Sequence, residues 1–142
     1  MKSVCVQSLD KIGQIKKYDV LILPNHKIIS TDMEWNELNS SPQLQEILVK
    51  SKDKAQVIFK HSTRCSISRT VWNRLERANE LPDGADYYYL DLISHRPVSS
   101  EIAELLDVEH ESPQILVIKD GRAVYNADHF EITADELAEN VK

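Results

Sequence analysis

The chain has 142 residues, 42% hydrophobic and 28% charged, a balance typical of one soluble globular domain. Its formal net charge of −6 argues against a general nucleic-acid or anionic-membrane binder, since both need a basic surface. The two cysteines, Cys5 and Cys65, lie far apart, which suits a reducing compartment better than a secreted disulfide framework. The apolar stretch before Pro24 is too short for a signal h-region or a membrane span, so a cytoplasmic protein is expected.

Helical and strand patterns alternate along the chain from residue 42 onward. Ser41 as N-cap and Pro42 in the first turn predict a helix over about 42–51. The apolar run from Ala55 to Phe59 is rich in β-branched residues and predicts a central strand covered on both faces.

The middle of the chain predicts a parallel strand–helix–strand unit. An apolar stripe at helical spacing marks a second helix that stops at residues 81–84; its members are Ile67, Val71, Leu75 and Ala78. The segment ADYYYLDL then alternates as a strand, and two strands joined by a helix pair in parallel with a right-handed crossover. Ser99 is the predicted cap of a third helix.

The last part of the chain breaks this alternation. Asp120-Gly121 between two apolar runs predicts an antiparallel hairpin. Thr133 and Glu136 form a capping-box pattern for a final helix, so the order from residue 42 is α-β-α-β-α-β-β-α. Residues 1–30 have weak periodicity; we predict a helix around 11–18 and a strand around 19–23, whose pairing with 27–30 is left open.

The segment FKHSTRCSIS, residues 59–68, is the candidate functional site. Cys65 lies where a strand passes into a helix, and the positive end of that helix favours thiolate over thiol. First-turn amides, nearby Lys60, Arg64 and protonated His61, and the hydroxyls of Thr63 and Ser68 are the expected stabilising groups. Because the thiolate is the nucleophile in thiol–disulfide exchange, Cys65 is the predicted reactive centre.

Cys65 has two other interpretations. A free cysteine is often a small buried hydrophobe, but the polar residues around this one argue against full enclosure. A zinc site lacks a second nearby cysteine, and His61 would be a single possible ligand, so no metal is predicted.

Ser112-Pro113 opens the strand that precedes the hairpin. Proline is tolerated at the first position of a strand because that residue need not donate to the ladder. Most X-Pro bonds are trans, whereas a cis bond here would form a rigid wall beside the reactive loop.

The motifs FKHSTRCSIS, YYYLDLI, EIAELL, HESPQILVIKDG and DHFEIT together resemble the YtxJ-like family, the monothiol bacilliredoxins. The resemblance runs from about Glu34 to Lys142. It implies an α/β thioredoxin-like fold, with a central mixed sheet flanked by helices, over residues 33–142, and an N-terminal extension over residues 1–32. The family cysteine, in a segment that generally reads C-P-I-S, matches Cys65, and the cis-proline of this fold matches Pro113 after Ser112. Ser66 replaces the usual proline; serine suits a first helical turn, but the change puts loop rigidity and redox poise in doubt.

The resemblance implies a monothiol oxidoreductase that removes bacillithiol from protein mixed disulfides through Cys65. Ser68 stands where a dithiol protein keeps its resolving cysteine, so a low-molecular-weight thiol or another redox protein must act as reductant. The implied co-substrate is bacillithiol, the implied partners are bacillithiolated proteins, and no bound cofactor, nucleic acid or membrane is expected.

Alternatives from other functional classes stay open at this point. One is an iron–sulfur carrier of the monothiol glutaredoxin type, although its glycine after the cysteine is absent. Another is a non-catalytic thioredoxin-like interaction domain. Cys5 as a distant resolving thiol would require its Cα to lie within about 7 Å of that of Cys65.

Overall fold

In the computed structural model of this chain, residues 2–9, 15–22, 35–78 and 81–142 are described. The chain forms two compact units, Met1–Met33 and Glu34–Lys142. No helix in these ranges combines the length and the apolar character needed to cross a bilayer.

The first unit contains an antiparallel hairpin of β1 (Lys2–Leu9) and β2 (Ile15–Ile22). The prediction of a helix over 11–18 is wrong for residues 15–18, which lie in β2, while 11–14 fall outside the described residues. Ile, Tyr and Val in this stretch favour a strand once a partner strand is present, and weak helical periodicity did not reveal that partner. Residues 27–30, whose pairing with this strand the sequence left open, also lie outside the described residues.

The second unit alternates strands and helices in the predicted order, preceded by a short strand that was not predicted. Its elements are β3 (Trp35–Glu37), α1 (Ser41–Lys50), β4 (Ala55–His61), α2 (Ser66–Arg77), β5 (Ala85–Asp91), α3 (Arg96–Leu106), β6 (Gln114–Lys119), β7 (Arg122–Asp128), a 3-10 turn (His129–Glu131) and α4 (Ala134–Val141). The five strands form one mixed sheet in the order β3-β5-β4-β6-β7.

Strand directions place the ends of β4 and β6 together. β3, β5 and β4 run parallel, β6 is antiparallel to β4, and β7 is antiparallel to β6. The register pairs Lys60 of β4 with Gln114 of β6, and Gln114 in turn with Asp128 of β7. The carboxyl ends of β4, β5 and β7 therefore lie at the same edge of the sheet as the start of β6.

Each face of the sheet buries its own apolar cluster. One cluster joins the sheet to α2 and α4 and includes Val57, Phe59, Val71, Leu75 and Leu137. The other joins the opposite face to α1 and α3 and includes Leu44, Ile47, Ile58, Ile102 and Leu116. Because successive strand residues face opposite sides, the central strand β4 is buried along its whole length.

Several local signals have the predicted geometry. Asp120 and Gly121 both have positive φ, 51° and 70°, as a two-residue type I′ hairpin turn requires. The Thr133 hydroxyl accepts a hydrogen bond from the Glu136 N–H at 3.2 Å, which caps α4.

The predicted helix starts need correction. Ser40, not Ser41, is the N-cap of α1, and its side chain makes no capping bond. α3 begins at Arg96 after His95 as N-cap, so Ser99 lies inside the helix and is buried. Pro97 in the first turn explains the earlier start, because its fixed φ is already helical.

Candidate active site

Cys65 lies in the turn that joins β4 to α2 and is the N-cap residue of α2. Its N–H donates to the Ser62 carbonyl at 3.1 Å, and its own carbonyl accepts the Arg69 N–H at 3.1 Å. The second of these bonds begins the helical ladder. Cys65 is half-buried, so the residue is neither enclosed in the core nor fully exposed.

The sulfur makes none of the hydrogen bonds expected from the sequence. Its side chain does not cap α2, and within residues 35–78 and 81–142 it has no hydrogen-bond partner. Thr63 is exposed, and its carbonyl accepts from the Arg69 guanidinium at 3.4 Å. Ser66 is exposed as the first residue of α2. The first-turn N–H groups have no acceptor within the helix and point toward its open end, where an anion is favoured.

The Ser68 hydroxyl is directed into the protein rather than toward Cys65. Ser68 is fully buried, and its oxygen accepts the Ser62 N–H at 3.0 Å. The same oxygen is 2.7 Å from Nδ1 of His61. Ser62 is consequently held on both sides, by Ser68 at its N–H and by Cys65 at its carbonyl. These bonds fix the turn that presents the sulfur.

His61 lies at the end of β4 on the face that α2 covers. Its imidazole is 5.5 Å from the Tyr89 ring centroid and 6.1 Å from that of Trp72. Burial lowers the pKa of His61 below 6.5, an effect that the Asp91 carboxylate opposes. A neutral imidazole can accept the Ser68 O–H at Nδ1 while Ser68 accepts from Ser62, and we assign that tautomer on this network.

The basic residues near Cys65 divide between two faces of the sheet. Arg64 and Arg69 are exposed beside the reactive turn. Lys60, which was expected near the sulfur, is fully buried on the opposite face of β4, where its ammonium donates to the Ser99 carbonyl at 3.2 Å. Strand alternation explains the correction, because adjacent residues Lys60 and His61 must face opposite sides.

The segment before β6 reaches the same edge of the sheet. The Ser112–Pro113 bond is cis, as the resemblance implied. Pro113 is buried, and its carbonyl accepts the His129 N–H at 3.0 Å. The Ser112 hydroxyl is buried and has no hydrogen-bond partner among the described residues. The structure thus brings the Ser112–Pro113 segment to the edge from which Cys65 follows β4.

Sequence analysis did not identify the aromatic surroundings of His61, which include Trp72 and Tyr89. Trp72 lies one helical turn after Ser68, and Tyr89 pairs with Phe59 on the neighbouring strand. Two sequence signals indicate this cluster. Trp72 follows Ser68 at helical spacing, and the alternation of strand residues places His61 on the same face of β4 as Phe59.

Comparison with solved structures shows the fold. A protein described as a candidate oxidoreductase with a thioredoxin fold is 30% identical, has a TM-score of 0.66, and is matched over 75% of this chain and 93% of its own. Thioredoxin from Malassezia sympodialis is 15% identical with a TM-score of 0.64, over 82% of this chain and 99% of its own. Thioredoxin from Fasciola hepatica is 18% identical with a TM-score of 0.61, and the match covers 75% of this chain and 99% of its own.

These likenesses establish a thioredoxin fold for the second unit, and the first of them, together with the family, supports a thiol redox function. The family model for monothiol bacilliredoxin BrxC matches residues 36–137, which include both Cys65 and Pro113. The chain therefore belongs to the monothiol bacilliredoxin family.

Proposed function

We propose that this protein is a monothiol thiol–disulfide oxidoreductase that removes bacillithiol from protein mixed disulfides through Cys65. The observation that carries the proposal is a half-buried cysteine at the N-cap of α2, followed three residues later by a buried, hydrogen-bonded serine. Such a site supports nucleophilic attack by one sulfur and offers no adjacent thiol to resolve the product.

The first step transfers the small thiol to Cys65. The Cys65 thiolate attacks the bacillithiol sulfur of a protein–bacillithiol disulfide, and a new sulfur–sulfur bond forms as the old one breaks. The electron pair leaves on the protein sulfur, which takes a proton from solvent. The helix start stabilises the attacking anion before the reaction.

The second step restores Cys65. A further bacillithiol thiolate attacks the bacillithiol sulfur of the adduct and leaves as the symmetrical disulfide, while Cys65 departs as a thiolate. Ser68 cannot perform this step, because a hydroxyl forms no disulfide and this one is already bonded to Ser62 and His61. The exposed Arg64 and Arg69 favour the approach of the anionic co-substrate.

The test uses a bacillithiolated model protein and intact mass spectrometry. We expect the label to leave the model protein and one bacillithiol adduct to form on Cys65, removable by excess bacillithiol. Cys65→Ser is expected to abolish transfer, whereas the matched variant Cys5→Ser is expected to retain it. Transfer by Cys65→Ser at the wild-type rate, or a product that has lost two hydrogens through a Cys5–Cys65 bridge, would contradict the monothiol mechanism.

A further inference from the structure

Lys60 is a buried cation in the strand that leads to the reactive turn. It is 0% exposed, although it lies one residue before the end of β4. Its ammonium donates to the Ser99 carbonyl in α3 at 3.2 Å and is 3.5 Å from Nδ1 of His110. Burial lowers the pKa of Lys60 from 10.5 to about 8.

Among the described residues, this ammonium has no carboxylate partner. The ion pairs within the described ranges are Lys54–Asp86, His129–Asp128 and Lys142–Glu139, and none of them includes Lys60. A buried ammonium without a counter-charge is unfavourable, and an apolar side chain of similar length would fill the same space at lower free-energy cost. Stability alone therefore does not explain a lysine at this position.

The contacts of Lys60 converge on the segment that leads to Pro113. His110 belongs to that segment and is also 3.4 Å from the Ser99 hydroxyl. Gln114 pairs with Lys60 across the two strands, and its side-chain amide donates to the Glu109 carbonyl at 2.9 Å. Neighbouring residues on β4 and β6 thus hold residues 109–113 at two successive points.

We propose that Lys60 is a positioning residue, whose ammonium holds α3 and residues 109–113 against the end of β4 so that Ser112 and Pro113 lie beside Cys65. This inference rests on the proposed thiol exchange. Under the proposed function, a protein mixed disulfide reacts at the edge of the sheet that carries both Cys65 and the Ser112–Pro113 segment, whereas a small alkylating agent needs only the sulfur. Lys60 therefore acts on exchange and not on the intrinsic reactivity of Cys65.

Among the residues that the structure describes, few titratable groups surround Lys60. His110 faces it directly, and Glu111 and Arg96 act on His110. Gln114 on β6 and Leu90 on β5, the residues in register with Lys60, are uncharged. Loss of the Lys60 proton leaves a weaker donor to the Ser99 carbonyl.

The experiment compares two rate constants for Cys65, one for exchange with a bacillithiolated model protein and one for alkylation by iodoacetamide. Both reactions need the Cys65 thiolate. The ratio of the two rate constants therefore does not depend on the fraction of Cys65 that is ionised. In Lys60→Met we expect exchange to fall by at least about tenfold, since a misplacement of about 1 Å can cost ~10²-fold in rate, with alkylation unchanged. Lys54→Met, at an exposed lysine immediately before the same strand, is the matched control and should change neither rate constant.

Two further readouts separate positioning from a general structural role. The melting temperature of Lys60→Met should be no lower than that of the wild type, because the substitution removes an unpaired buried charge. In the wild type the ratio of exchange to alkylation should fall as pH rises through about 8, and this profile needs no variant.

A ratio that is unchanged in Lys60→Met, or independent of pH in the wild type, would overturn the inference. Equal losses of exchange, alkylation and melting temperature would also overturn it, since they would indicate a folding defect. Failure of the wild type itself to exchange, with normal alkylation, would instead overturn the proposed function.

Discussion

Ser68 occupies the position where a dithiol protein of this arrangement carries its second cysteine. Its hydroxyl joins the N–H of Ser62 to the imidazole of His61, and both bonds are buried. The residue that makes the site monothiol is thus also the residue that fixes the reactive turn. A sulfur at this position would be a larger atom and a weaker hydrogen-bond acceptor.

Removal of the Ser68 hydroxyl should destabilise the protein measurably. Ser68→Ala leaves the buried Ser62 N–H without its acceptor, and we expect the free energy of unfolding to fall by about 1–3 kcal/mol. Ser66→Ala is the matched control, since Ser66 is exposed and should change this free energy by less than about 0.5 kcal/mol. Urea unfolding followed by circular dichroism measures both, and equal effects would contradict the role assigned to Ser68.

Protonation of His61 should weaken the fold in mild acid. Folding lowers the pKa of His61 below 6.5, so the unfolded chain binds this proton more tightly than the folded chain does. The stability that neutral His61 provides is fully present above about pH 6.5 and is lost as pH falls from there toward the lower folded value.

Urea unfolding at several pH values between neutrality and mild acid checks this sign. His110 has a pKa shift in the same direction, so the comparison is between the wild type and His61→Phe, which keeps His110. We expect the variant to show a shallower dependence of unfolding free energy on pH. The same slope in both proteins would show that His61 binds its proton equally well in the folded and the unfolded chain, which would contradict the shift assigned to it.

At the level of helices and strands, the sequence predicts most of the second unit, because its signals are local. The Asp120-Gly121 turn, the apolar run of β4 and the stripe of α2 each specify an element without reference to distant residues. β3 was not predicted, since three residues carry no periodicity and this strand exists only by pairing with β5.

The candidate site was predictable to a smaller extent. The position of Cys65 at a helix start follows from adjacent elements, whereas the bonds of Ser68 depend on where a side chain is directed. The alternation of side chains along a strand indicates that Lys60 and His61 face opposite sides of the sheet. The prediction placed Lys60 near Cys65 because the two are close in sequence, but in the structure Lys60 is buried on the other face. Contacts between His110 and Lys60 join residues 50 positions apart, and local patterns do not contain that information.

The helix caps offer a test at this scale. Thr133 and Ser40 are both N-cap residues, but the hydroxyl of Thr133 accepts a hydrogen bond from the helix and that of Ser40 does not. Thr133→Ala should lower the free energy of unfolding by about 1 kcal/mol, and Ser40→Ala by clearly less. Thermal or urea unfolding of the two variants measures the difference, and a larger loss from Ser40→Ala would contradict the assigned caps.

For the molecule as a whole, the reactive turn is basic within an acidic chain. The formal net charge is −6, yet Arg64 and Arg69 are exposed beside Cys65. This distribution favours anionic small thiols near the sulfur and disfavours them elsewhere. Under the proposed function, this charge distribution contributes to selectivity for anionic thiols.

Ionic strength should reveal this steering. Arg64→Gln is expected to slow the reaction of Cys65 with an anionic disulfide a few-fold at low salt, and the difference should disappear when salt shortens the screening length to about 3 Å. Arg77→Gln, at the far end of α2, is the matched control and should have no effect on this rate. Stopped-flow measurement of the second-order rate constant tests both, and a loss that persists at high salt would indicate direct contact instead.

The two tryptophans of the chain, Trp35 and Trp72, have ring centroids only 5.0 Å apart, and Trp72 neighbours His61. Indole emission from this protein therefore originates at one place, next to the helix that begins at the reactive turn. An imidazolium quenches a nearby indole more strongly than neutral imidazole does, so fluorescence should dim as His61 gains its proton. The fold thus provides an intrinsic optical probe, by which the acid titration of His61 can be followed without any added dye.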